Sequence, residues 1–448
     1  RGQSLTLSGT YGGTGSITGY VNPTTYYIIA TNGSTTFTLS TTAGGSGVTT
    51  TAGTPTGLTY TLSTNISTYG TQSGTQIISS RGMLLSTLPG SDGSCPLYQN
   101  TFTVSDASRF LLVFGTNDYG STVLDPMLIR WSDQESLITW FPAITNQAGS
   151  LRLSHGSKIV TTLQSRQEIL VWTDSSLYSL QYLGPPYVWG SQLLADTISI
   201  ASPNAAAAAS GVTYWMGVDK FYKYDGRVQT LNCDLRRYIF SDFNVLQAQQ
   251  VYAGTNEGFN EIWWFYCSAN SNEIDRYAVY NYIENVWYYG NMGRTAWLDS
   301  GLLPLPVAAT YDSELVQHED GVDAYSLGNI TPIDAYISSS EFDIGDGHNF
   351  GYVWRVVPDL TFTGSSSSPT PAVTMTLYPM QSSGSGTGTA ANGSVTKGSN
   401  YVITEEYTGI IYTRARGRQM IFKIASNQLG TTWQLGAPRI DIKADGRR

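Results

Sequence analysis

A tryptophan-bearing, β-rich stretch that closes on an acidic or glycine turn returns along this chain, and its interval limits what the chain can fold into. It stands at Leu128–Asp133, at Ile169–Asp174, at Val212–Trp215 running on through Phe221–Gly226, and at Glu261–Tyr266. Trp131, Trp172, Trp215 and Trp264 follow one another at steps of 41, 43 and 49 residues. That spacing is close to the ~40–50 residues of a four-stranded propeller blade. A fifth, weaker instance runs from Leu315 to Gly321. The segment Val279–Tyr289 sets Glu284 and Asn285 between two aromatic runs, the pattern of a hairpin that ends a blade. The prediction is a radial β-propeller over 76–340, with Trp131, Trp172, Trp215, Trp264 and Trp287 as its blade aromatics.

The flanks read differently. The first 75 residues are nearly free of charge and rich in Thr, Gly, Ser and Tyr, with runs such as Thr25-Tyr26-Tyr27-Ile28-Ile29. Such residues suit a pleated, half-buried surface, and Gly-rich breaks supply turns, which predicts a small β-sandwich module. From 341 to 448, strands are expected at Tyr352–Val357, Ala372–Tyr378, Tyr401–Ile403, Gln419–Ile424 and Arg439–Ile442, with a flexible hairpin tip over 384–398. They make a second, platform-like β-sandwich. The fold class is all-β. One short helix is expected at Asp234–Phe240, capped by Asp234, because Leu235, Tyr238 and Ile239 share a face. The alanine run Ala205–Ala209 has helix-forming composition but is too short to nucleate a helix alone.

The usual chemical groups are scarce. Three cysteines, Cys95, Cys233 and Cys267, are distant in sequence and odd in number, so buried free thiols are expected rather than disulfides or a metal site. His318 adjoins Glu319 and Asp320, but neighbouring strand residues point to opposite faces, and no HExxH pattern is present, so a structural role is expected for it and for His348. Gly-rich turns lack the Lys and following helix of a phosphate loop. No cofactor or metal is expected, and no enzymatic activity. No apolar run approaches the ~18–20 residues that cross a bilayer as a helix. The net charge of −9 disfavours tight binding of nucleic acid and does not exclude a passage through which DNA slides. The one basic cluster is Arg414, Arg416 and Arg418, spaced by two and therefore on one face of a strand. It fits contact with phosphates or an acidic neighbouring subunit, or pairing with Glu405 and Glu406.

Several phrases together resemble a known family. Trp172-Thr173-Asp174-Ser175-Ser176-Leu177-Tyr178 with Gln181-Tyr182-Leu183-Gly184-Pro185-Pro186, and Gly211–Gly217 with Asp219-Lys220-Phe221-Tyr222, are similar to the tail nozzle family of short-tailed phages, also called tail tubular protein B or packaged-DNA stabilization protein. Asn256–Tyr266, Asp343-Ile344-Gly345-Asp346-Gly347, Arg414–Met420 and Trp433–Gly436 fit in the same order. The resemblance covers about 76–448 and leaves 1–71 as a variable insertion. It implies a virion protein: a hexameric ring below the portal and adaptor, with a propeller domain, a platform domain against the adaptor, and a gated central channel that retains and then conducts DNA. Tail fibre or spike proteins are further implied partners, and a subunit or adaptor interface is expected at Arg414, Arg416 and Arg418. The resemblance implies that members normally begin with additional platform sequence. The competing reading is a carbohydrate-binding propeller or tail adhesin whose aromatics stack on sugars; a propeller hydrolase is disfavoured because no paired carboxylates can be placed.

Overall fold

The computed structural model describes residues 4–14, 24–31, 36–49, 54–63, 84–301, 303–326, 328–345, 347–366, 370–387, 399–404 and 410–447. Strands dominate, as the sequence predicts, and the chain divides into two compact units, Arg1–Gly82 and Met83–Arg448.

In the first unit, Phe37–Ser40, Thr24–Thr31, Ser4–Thr14 and Thr54–Ser63 form one antiparallel sheet in that order. Leu5, Leu7 and Tyr26 are buried together, against Ile28, Leu39 and Val48. The predicted sandwich is thus represented, among the described residues, by a single sheet.

The second unit opens with four four-stranded antiparallel sheets in chain order, each an up-and-down meander. The first is Thr101–Val104, Leu111–Asn117, Leu124–Trp131 and Gly149–Arg152. The second is Ile159–Gln164, Ile169–Thr173, Ser176–Gly184 and Val188–Asp196. The third is Ala206–Ala209, Val212–Met216, Phe221–Tyr224 and Val228–Leu231. The fourth is Tyr252–Asn256, Glu261–Tyr266, Arg276–Asn281 and Val286–Asn291, and its last two strands are the predicted hairpin. A three-stranded sheet, Ala296–Leu298, Val307–Ala309 and Leu315–Gln317, continues the series.

Why these sheets stack follows from their central strands. An apolar run in a strand buries both faces, and alternate residues then serve two different cores. Ile169 and Val171 pack with Phe110, Phe114 and Ile129 of the first sheet. Their neighbours Leu170 and Trp172 pack instead with Trp215 and Phe221 of the third. The same division recurs at Glu261–Tyr266, where Ile262 and Trp264 face the third sheet while Trp263 and Phe265 face Trp297 of the fifth. Leading strands adjoin: Thr101–Val104 lies beside Ile159–Gln164, and Tyr252–Asn256 beside both Ala206–Ala209 and Ala296–Leu298.

Two expectations are corrected in this region, and the alanine run, for which no helix was expected, takes a definite form. Trp172, Trp215 and Trp264 occupy the second strand of their sheets, whereas Trp131 stands in the third strand of the first, so the tryptophan interval is offset there by one strand. The alanine run is a strand, Ala206–Ala209, paired to Val212–Met216 through Ser210 and Gly211 at positive φ; pairing outweighs a helix preference summed over so few residues. The single α-helix among the described residues is Arg236–Asp242, and its N-cap is Leu235 with no side-chain cap. The Cys233 carbonyl accepts from the Arg236 N–H at 3.1 Å, so Asp234 lies inside the preceding turn, one residue ahead of the N-cap position.

Beyond residue 334 the predicted strands form two facing layers. One holds Ala335–Ser338, Gln419–Ser426, Ala372–Met380 and Ser399–Thr404, with Phe342–Asp343 also on Gln419–Ser426. The other holds Ile411–Gly417, Gly351–Val357 and Arg439–Ala444. Val353, Val356 and Ala415 meet Met375, Leu377, Phe422 and Ile424 between them, the core of a sandwich. Sheet pairing begins at Ala335, before the expected boundary at 341. Of the predicted hairpin tip, 388–398 lies outside the described residues.

Candidate functional site

Ile411–Gly417 alternates buried and exposed along its whole length, which sets Ile411, Thr413 and Ala415 into the sandwich and Tyr412, Arg414 and Arg416 outward. Arg418 follows in the bend between two strands. The two later arginines are committed to the chain itself. Arg416 forms an ion pair with Asp445, donates to the Asp445 carbonyl at 3.1 Å, and lies 4.1 Å over the Phe350 ring. Arg418 donates to the carbonyls of His348 and Arg447, each at 3.0 Å, with its guanidinium 4.9 Å from the same ring. They clamp the strand Arg439–Ala444 and the residues after it to the sheet. Arg414 differs: it is exposed and makes no ion pair among the described residues. Glu405 and Glu406, the expected partners of the cluster, lie outside the described residues, as does Asp346.

The tryptophans predicted as blade aromatics are packing groups. Trp172, Trp215 and Trp264 are fully buried and Trp131 nearly so. Trp172 meets Trp215 edge-on at 5.5 Å, and Trp287 stacks on Trp264 at 5.7 Å. Four of the indole N–H groups tie strands to loop carbonyls, Trp131 to that of Gln147, Trp215 to Ser199, Trp264 to Ala205 and Trp287 to Asn232, while that of Trp172 has no partner.

Cys95 and Cys267 are buried free thiols, while Cys233 is half-buried because it lies in the turn entering the helix. Burial pushes the Cys233 thiol up to about 12 and the Cys267 thiol up to about 11, which makes both poor nucleophiles. His318 accepts from Arg294 Nε at 3.0 Å and lies 4.7 Å from the Trp297 ring. Burial, helped by the Arg294 charge, pushes its pKa down to about 4, so it is a neutral acceptor. No group of three or more His, Cys, Asp or Glu is placed to hold a metal among the described residues.

One polar network went unread in the sequence. Glu261 heads a wholly buried strand, and its carboxylate accepts from Trp263 Nε1 at 3.0 Å, from Asn256 Nδ2 at 3.4 Å and from the Tyr288 hydroxyl. Asn256 also donates to Glu319 at 3.1 Å, so one amide bridges a strand carboxylate and one in the bend that follows Leu315–Gln317. Partial burial of the Glu319 carboxyl, then the Glu261 charge, raise its pKa; burial and the bond to Glu261 raise Tyr288 strongly. The available signal was a carboxylate opening an otherwise apolar run.

No family model matches the chain, and no curated protein matches it. Among solved structures, an exo-β-1,3-galactanase from Phanerochaete chrysosporium, determined with galactose, aligns over 77% of this chain and 96% of its own at 10% identity and a TM-score of 0.24. A chain in an S. cerevisiae complex of Dbp5 with Nup159 and Gle1 aligns over 73% of this chain and 89% of its own, at 8% identity and a TM-score of 0.23. At these TM-scores neither likeness bears on fold or function.

Proposed function

We propose that this chain is a structural subunit of a short phage tail, forming a hexameric ring around a DNA channel that retains the packaged genome and conducts it during ejection. The observation that carries the reading is architectural. Consecutive four-stranded meanders, each packed against the next, are followed by a separate sandwich, in the order that the resemblance to nozzle proteins requires. In this reading the meanders are the blades of a propeller, the sandwich is the platform, and the ring belongs to the virion, between the adaptor and any fibres or spikes. The net charge of −9 supports it physically, since a negative lumen repels phosphates and leaves DNA free to slide. Exposed apolar side chains on one loop, Leu137, Phe141 and Ile144, are of the kind that subunit contacts cover.

The test is the mass of the full chain in solution, alone and with the adaptor, by light scattering and negative-stain imaging. The expected result is a closed ring of about six copies with a central hole, formed alone or on the adaptor. A monomer that stays monomeric with the adaptor present refutes the assignment.

A further inference from the structure

A cleft of about 580 Å³ opens where the first and second sheets meet, with Tyr224 of the third at its edge. That volume falls within the roughly 300–1,000 Å³ of small-molecule sites. Its wall carries an aromatic step. Tyr182, 38% exposed, rests on Phe110 at 5.5 Å and Trp189 at 5.6 Å, both deeply buried, so one tyrosine ring is presented on a fixed base. Around it stand planar amides from three separate segments, among them Gln134, Gln164 and Gln181.

Two buried polar atoms in this lining have no partner: the Trp189 indole N–H, on a residue only 5% exposed, and Gln164 Oε1. Glu168, in contrast, is fixed, accepting from the Tyr224 hydroxyl at 2.8 Å, from Gln181 Nε2 at 3.4 Å and from the Ser179 hydroxyl. Arg166, exposed, lies against Gly211 so closely that a Cβ there would meet its guanidinium carbon at 2.7 Å.

We propose that this cleft binds a saccharide. Sugars offer an apolar C–H face and rows of hydroxyls that each donate and accept. An exposed aromatic ring matches the face, while carboxamides, a guanidinium and a held carboxylate match the hydroxyls. An apolar ligand would leave Gln164 Oε1 and the Trp189 indole N–H without partners, and a strongly anionic one would meet Glu168 beside Arg166. Most retaining and inverting hydrolases use two carboxylates, and Glu168 is the single carboxylate in the lining, so the proposal is of binding. The assignment stands apart from ring assembly: either can fail alone.

The full chain is screened on an array of neutral and acidic oligosaccharides, and the best ligand is titrated by calorimetry against Tyr182→Ala and Arg166→Ala. Both substituted residues are exposed, and unchanged thermal unfolding establishes that the variants fold. The expected result is a bound sugar whose Kd rises about tenfold in Tyr182→Ala and severalfold in Arg166→Ala. No bound sugar on the array, or affinity untouched by both substitutions, overturns the proposal. Light scattering of the same variants reads ring formation separately.

Discussion

Arg130 is a full charge at 1% exposure, and the fold answers it with carbonyls and rings. Its guanidinium donates to the Asn117 carbonyl at 3.2 Å and to the Ser94 carbonyl, and it lies 4.1 Å over Tyr119. Arg130→Met keeps much of the volume but strands both acceptors, a cost of about 2 kcal/mol, read as a lower urea midpoint by tryptophan fluorescence. A pH effect belongs to His318. An unfolded histidine takes its proton near pH 6.5, whereas folded His318 refuses it until about 4. Stability present above pH 6.5 is therefore lost as pH falls through that window. His318→Gln removes this loss, so the gap between its urea midpoint and that of the parent shifts in the variant's favour from pH 6.5 to 4. Glu319, with its raised pKa, acts in the opposite sense and is common to both chains. Glu319 was hidden in the sequence because it stands 63 residues from Asn256 and only the fold brings its bend to the Asn256–Glu261 pair.

Strands and turns were more legible than contacts. Runs such as Ile169–Thr173 and Glu261–Tyr266 declare a strand buried on both faces, and the hairpin at Val279–Tyr289 lies where its turn residues put it. What failed was local: Asp234 does not cap, whereas Ala206–Ala209, too short for a helix, pairs as a strand, because tertiary partners decide short segments. The basic strand was read correctly as to its face for Arg414 and Arg416, and among the described residues Arg416 and Arg418 engage Asp445 and nearby carbonyls. Replacing all three arginines would therefore disturb the sandwich edge as well as any interface. Arg414→Glu is the sharper probe, with the expectation of weakened ring assembly by light scattering and an unchanged melting temperature. Gly417 ends the same strand with its Cα pressed on backbone: an added Cβ would meet the Gln419 carbonyl at 2.8 Å and the Met380 N and O at 2.9 Å. Gly417→Ala should cost about 1–3 kcal/mol in chemical unfolding, since backbone on both sides must yield.

At the scale of the whole molecule, the order of sheets followed from the recurrence of aromatic strands, while the network joining them did not, since a repeat interval carries no information on which side chain meets which. The two parts of the second unit also differ in how far their pairings reach along the chain. Each four-stranded sheet is closed by neighbours in sequence, strand to next strand. In the sandwich, Gly351–Val357 is held by Arg439–Ala444, and Arg355 meets Asp441 from 86 residues away. During synthesis a meander can therefore form as soon as its own stretch has left the ribosome, whereas Gly351–Val357 must wait with an edge unpaired. The ribosome thus delivers the sheets one by one and the sandwich late, and a chain truncated before Arg439 would carry finished meanders beside an exposed, aggregation-prone strand.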